Sequence, residues 1–139
     1  MTTAKPQNAP KLSVLQAKTE EDRHRIYLFR FRTLVQEMGG DSVHADHDER
    51  TISDPLDEKA IHLYLTADSQ VIASIRITSG KIAKFPKKVS ENYQLEAFTD
   101  FDATTLSLTT HFTVAKKWRQ SQVIRVLLGA AYKTQRHLG

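Results

Sequence analysis

The sequence predicts a mixed α/β (α+β) fold in the order β-α-loop-β-β-(α)-β-α. Two patterns and a length point to it. Apolar and polar residues alternate over 61–66, 71–78 and 106–114, the mark of half-buried strands. Elsewhere, after Thr19 and after Gln122, apolar residues recur at helical spacing. The chain of 139 residues is of a size to form one domain with its own core.

Residues 1–10 hold two prolines and no periodic apolar position, so they read as a disordered tail. The domain is expected over 11–139. Leu12 to Ala17 can form a short strand. Thr19, followed by Glu20-Glu21-Asp22, reads as a helix start. The hydroxyl can take an orphan N–H, and the acids suit the positive end of the helix dipole. Tyr27, Phe31, Leu34, Val35 and Met38 then share one helical face, and Gly39-Gly40 ends it. Residues 41–58, rich in acids, read as a loop with one helical turn. Ile61, Leu63 and Leu65 alternate with His62, Tyr64 and Thr66. Val71, Ala73, Ile75 and Ile77 alternate with Ile72, Ser74, Arg76 and Thr78. Ala67-Asp68-Ser69-Gln70 joins these runs as a tight turn, giving a hairpin that Ser79-Gly80 stops. Pro86 opens a short helix with Val89 and Tyr93 on its inner face. Leu106, Leu108, Thr110, Phe112 and Val114 form one face of the next strand, with Ser107, Thr109, His111 and Thr113 on the other. A polar connection, Lys116 to Ser121, leads to a broad-faced helix carrying Val123, Leu127, Ala131 and Leu138.

Composition removes several classes of function. The chain has no cysteine, which excludes a disulfide scaffold, a thiolate zinc site and a cysteine nucleophile. No apolar run approaches the roughly 18 residues of a membrane span. The N-terminal stretch lacks the apolar segment of a secretory signal, and the absence of cysteine suits a reducing cytoplasm, where the protein is expected. A net charge of +4 without a basic run longer than two residues gives no reason to expect a nucleic-acid partner.

Three constellations bear on chemistry. Asp41, His44, Asp46, His47 and Asp48 have ligand-type side chains, but on a polar loop with nothing to fix them, and no metal is expected. No Gly-x-Ser-x-Gly elbow is present. The strand, turn and helix of 106–138 are the most informative. A strand that feeds straight into a helix leaves first-turn N–H groups pointing outward, and the dipole favours an anion there. Lys116, Lys117, Arg119 and Arg125 add positive charge at that turn. A diphosphate would suit it, although any β-α junction has this geometry.

The stretch from Val114 to Leu128, with Lys116-Lys117-Trp118-Arg119-Gln120-Ser121-Gln122 at its centre, resembles the acyl-CoA signature of the GNAT superfamily of N-acyltransferases. That signature is a hydrophobic strand, then Arg/Gln-x-x-Gly-x-Gly/Ala, then a helix. A narrower resemblance is to the branch of N-acyl amino acid synthases and acyl-homoserine-lactone synthases. It rests on Arg30-Phe31-Arg32 leading to Val35-Gln36-Glu37-Met38-Gly39, on Asp54-Pro55-Leu56-Asp57 before His62-Leu63, on Ala73-Ser74-Ile75-Arg76-Ile77, and on an insertion at 85–98. Gln122 and Ile124 stand where the family has Gly and Gly/Ala. Leu108 and His111 stand where acyl-homoserine-lactone synthases carry Glu and Arg, so the resemblance does not extend to that activity. The family fold continues with further strands and a helix beyond the last element of this sequence, so a partial GNAT-like domain is expected.

The resemblance implies transfer of an acyl group from acyl-CoA or acyl-carrier protein to a small amine, without metal. Phe112 and Val114 would present backbone N–H groups to the thioester. Arg119, Gln120, Ser121, Gln122, Val123 and Ile124 would hold the diphosphate. His111 is the first candidate general base and Glu37 the second. Arg30, Arg32 and Arg76 are candidates for a substrate carboxylate, with ion pairing inside the protein as the other reading. The alternative function is a non-catalytic, GNAT-derived interaction or oligomerisation module. Exposure of the last strand's edge leads us to expect a homo-oligomer.

Overall fold

The computed structural model describes residues 9–80, 87, 91 and 106–138. The helix expected at 85–98, apart from Lys87 and Glu91, and residues 1–8 of the expected tail lie outside the described residues. Strand β1 spans Leu12–Gln16 and helix α1 spans Glu20–Phe31, continuing as a π turn over Arg32–Glu37. Two short strands, β2 (Ala45–Asp46) and β3 (Thr51–Ile52), form a ribbon of their own. Strands β4 (Ile61–Ala67), β5 (Gln70–Ser79) and β6 (Ser107–Val114) follow, then helix α2 (Val123–Leu138). The main sheet is antiparallel in the order β1-β4-β5-β6.

Local chemistry places these elements. Thr19 Oγ1 accepts from Asp22 N at 3.0 Å, while Asp22 Oδ2 accepts from Lys18 N at 2.9 Å. This reciprocal cap starts α1. Asp68 and Ser69 both have positive φ, 48° and 70°, as a two-residue turn matched to strand twist requires. Asp68 also bonds Lys11 through N–H to Lys11 O and through Oδ1 to Lys11 N, which pins the start of β1 to the hairpin.

The sheet is covered on both faces. Leu63, Leu65, Ala73, Ile75 and Ile77 pack against Val123, Leu127 and Ala131 of α2. On the other face Tyr64 and Val71 pack against Ile26 and Phe29 of α1. The buried stripe of α1 differs from the expected one. Ile26, Phe29, Arg30 and Phe31 are buried, Tyr27 is only half-buried, and Met38 is 59% exposed. The π turn bears on the later part, because its wider coil rotates the residues after Phe31, Met38 among them, away from the 3.6-residue pattern.

Two bulges break the strand alternation. Leu65 pairs with Ala73 but Thr66 with Val71, so Ile72 is the extra residue and Val71 turns to the α1 side. In β6, Thr113 pairs with Ser74 and Thr110 with Arg76. His111 and Phe112 therefore stand opposite Ile75 alone. His111 adopts a left-handed φ of 52° to make this possible. The expected single face from Leu106 to Val114 is corrected accordingly. Val114 joins the α2 core, where Gln135 bonds Ser107 and Thr109, whereas Thr110 bonds Arg76 on the opposite face.

Candidate active site

A cavity of about 630 Å³ opens beside the β6 bulge. The bulge supplies one wall through His111, Phe112, Thr113 and Val114. The end of α1 and its π turn supply another through Arg30, Thr33, Leu34 and Met38. Ile52 of β3, with Arg119 and Ile124 at the entry to α2, closes the rest. Six residues singled out in the sequence thus share one cavity: Arg30, His111, Phe112, Val114, Arg119 and Ile124. Arg119 is fixed there by its Nε, which donates to Val114 O at 3.0 Å.

Behind His111 lies a buried network of charges. Arg30 Nη1 donates to both carboxylate oxygens of Asp57 at 3.0 Å. Arg76 Nη1 donates to Asp54 Oδ1 at 2.6 Å and to Asp57 Oδ1 at 3.2 Å, while its Nε donates to Thr110 Oγ1. Two arginines facing two aspartates leave no net charge to solvate, which is how four ionised groups tolerate burial. The ion-pair reading of Arg30 and Arg76 is the one this geometry describes. The resemblance includes Asp54 and Asp57 but assigns neither a site role. Their signal was present: two acids flanking a Pro-Leu pair, followed by strands that carry His62 and Arg76 among apolar residues.

His111 Nε2 lies 3.4 Å from Asp54 Oδ2, with its side chain 32% exposed. Burial opposes ionisation of Asp54, but the bond from His111, the Arg76 guanidinium and the Leu56 N–H outweigh it and hold the carboxyl well below its usual range. A fixed carboxylate therefore orients the imidazole and leaves Nδ1 available. His62 is a different case. Its Nε2 donates to Asp57 O at 2.8 Å and its Nδ1 faces Arg30 Nη2 at 3.4 Å, so Nε2 carries the proton. Burial lowers its pKa, only partly offset by Asp57, and the ring is neutral. Among the described residues, Thr33 Oγ1 and Arg30 Nε are buried without a hydrogen-bond partner at the cavity floor.

The remaining candidates sit apart. Glu37 is exposed, and its Oε2 accepts from Lys116 N at 3.2 Å. Arg32 donates to Val71 O at 3.0 Å and lies over the Phe29 ring, so it ties α1 to the hairpin. Gln120, Ser121 and Gln122 line a second depression with Ile124, Arg125 and Leu128. Ser121 Oγ donates to Trp118 O and accepts from Val123 N, and Gln122 O accepts from Val126 N. Val123 itself is in the core. Among the described residues the N–H groups of Ile124 and Arg125 meet no acceptor, as at any open helix start. In the acidic loop, His47 bonds Asp41 at 3.1 Å and edges onto Phe31. Among the described residues no group of three or more His, Cys, Asp or Glu is arranged to hold a metal ion.

No family model matches the chain, and no curated protein matches it significantly. Solved structures do resemble it. It is similar to the AHL synthase LasI with a TM-score of 0.62 and 12% identity, over 93% of this chain and 68% of that one. It is similar to a Pyrococcus horikoshii protein, provisionally assigned as an acetyltransferase, with a TM-score of 0.58 and 16% identity, over 93% of this chain and 77% of that one. At such identities the likeness shows the fold, which is the GNAT-like mixed α+β arrangement. Among the described residues no helix is long and apolar enough to cross a membrane.

Proposed function

We propose that the chain is an N-acyltransferase domain that moves an acyl group from a thioester, of CoA or of acyl-carrier protein, to a small amine. The observation that carries this reading is the β6 bulge. It sets an Asp54-oriented imidazole beside interrupted ladder amides, at the mouth of a mostly apolar cavity next to a basic helix entry.

In this reading the acyl chain lies against Leu34, Met38, Phe112 and Ile124. The diphosphate lies at Arg119 to Ile124, over the open helix N–H groups. A bulge leaves its extra residue out of the ladder, so N–H groups near Phe112 are available to polarise the thioester carbonyl. The amine nitrogen attacks that carbon. The C–N bond forms, the C–S bond breaks, and the amine proton passes to His111 and on to the departing thiolate. Arg30 and Arg76 act through Asp57 and Asp54, and Glu37 fixes the turn through Lys116. The protein works in the cytoplasm as a homo-oligomer that covers the β6 edge.

Titrating acyl-CoA against Trp118 fluorescence tests binding, and amide formation from radiolabelled acyl-CoA tests turnover. We expect quenching, and about a 10²–10⁴-fold loss of turnover in His111→Ala with binding retained. Absence of quenching at millimolar ligand would sink the reading. The second reading, a non-catalytic module, is favoured by Gln122 and Ile124, whose side chains crowd a turn the family keeps open. Binding without turnover toward any amine would support it.

A further inference from the structure

After Asp102 the chain has no Asp or Glu, yet it carries Lys116, Lys117, Arg119, Arg125, Lys133 and Arg136. Five of these, all but Arg119, are exposed. Among the described residues none of the six joins a salt bridge. Basic surface residues ordinarily sit near acids, so a helix that carries basic residues and no acid of its own, unpaired among the described residues, calls for a partner that supplies the negative charge.

Helix α2 buries Val123, Leu127 and Ala131. Its outer side is not simply polar. Arg125, Leu128, Tyr132 and Arg136 follow one another at three- and four-residue steps, so they form a single stripe along that side. Leu128 is 47% exposed and Tyr132 62% exposed. The Arg136 guanidinium sits over the Tyr132 ring, 5.9 Å from its centroid. Beside the stripe, Lys133, Arg136 and His137 border a depression of about 330 Å³. Four of the described acids lie across the sheet. Asp41, Asp46, Asp48 and Glu49 belong to the loop around β2 and β3, and β3 packs on α1, across the sheet from α2.

We infer that the outer face of α2 docks on an anionic lipid surface. A second copy meeting it face to face would oppose like charges. A bilayer accepts a convex flank, offers phosphates to Arg125, Lys133 and Arg136, and receives Leu128 and Tyr132 at headgroup depth. The charge asymmetry across the sheet would orient the molecule with its acidic loop away from the membrane. This inference does not depend on acyl transfer.

The test is co-sedimentation of the full chain with vesicles of phosphatidylcholine, alone or with about 30% phosphatidylglycerol. Binding only to the anionic vesicles, abolished near 0.5 M NaCl (roughly a 4 Å screening length), is expected. Lys133→Gln with Arg136→Gln should weaken it by about 25-fold, at roughly fivefold per basic residue. Leu128→Ser with Tyr132→Ser should weaken it while leaving its salt dependence. Both double variants change exposed positions, and far-UV circular dichroism checks their fold. No binding to the anionic vesicles, or equal binding to both kinds, overturns the inference. So does binding that the Lys133/Arg136 variant leaves unchanged, or duplex DNA competing as well as anionic vesicles. Self-association through the same face, lost in that variant with no vesicle binding, also overturns it.

Discussion

Asp57 joins Arg30, Arg76 and the Asp54 backbone in one buried network behind the cavity. Its carboxylate faces Arg30 and Arg76 and accepts from Asp54 N, while its carbonyl accepts from His62. Truncation leaves the buried Arg30 guanidinium without its anion and takes from Arg76 one of its two carboxylate partners. Asp57→Ala should therefore cost about 3–5 kcal/mol in urea denaturation. His62 makes stability depend on pH. Its folded pKa lies below the ordinary 6.5, so as pH falls the unfolded chain takes up the proton first. Its contribution is full above about pH 6.5 and is lost as pH falls through the folded value. Asp54 adds a second, lower window. Its folded pKa lies below the ordinary 3.8, so its contribution is full above that value and lost further into acid. The urea midpoint should fall between about pH 7 and pH 5 in the parent protein and stay flatter in His62→Gln. An identical slope in both would remove His62 as the cause. At this scale the sequence was only partly legible. Arg30 and Arg76 were visible as charges in apolar surroundings, but their partners arrive from a loop whose path no local pattern specifies.

Elements were easier to read than the faces they present. The strands, the α1 cap, the hairpin and α2 follow from alternation, capping and turn chemistry, all local. What was not legible is where one residue too many enters. A bulge or a π turn depends on what packs against the backbone; the first reverses the side on which later strand residues fall, and the second rotates later helix residues about the axis. The β6 bulge illustrates the point, since strict alternation would have sent Val114 away from α2. Its left-handed residue can be tested directly. Glycine accepts φ of 52° at no steric cost, whereas alanine does not. His111→Gly should thus be more stable than His111→Ala by about 1 kcal/mol in thermal denaturation, although both lack the imidazole. The reverse order would show that the bulge relaxes once the side chain is gone.

For the whole molecule, the sheet is sandwiched by α1 and α2, and the candidate site lies where β6 meets both. The order of elements in the sequence anticipated this arrangement, and the solved structures share it. The pairing of β6 carries a further consequence, for the order of assembly. Strands β4 and β5 meet across two turn residues, but Ser79 must find Ser107 after a long excursion of chain. The hairpin closes locally, while the later pairing bears the entropy of a large loop. The hairpin is therefore the seed and β6 a late arrival. Native-state hydrogen exchange should show β4 amides opening only with the whole fold and β6 amides opening at lower free energy. Equal protection in both strands would contradict this. On that account the imidazole and its carboxylate come together only in the last stage of folding, and partial unfolding would take the site apart before the core.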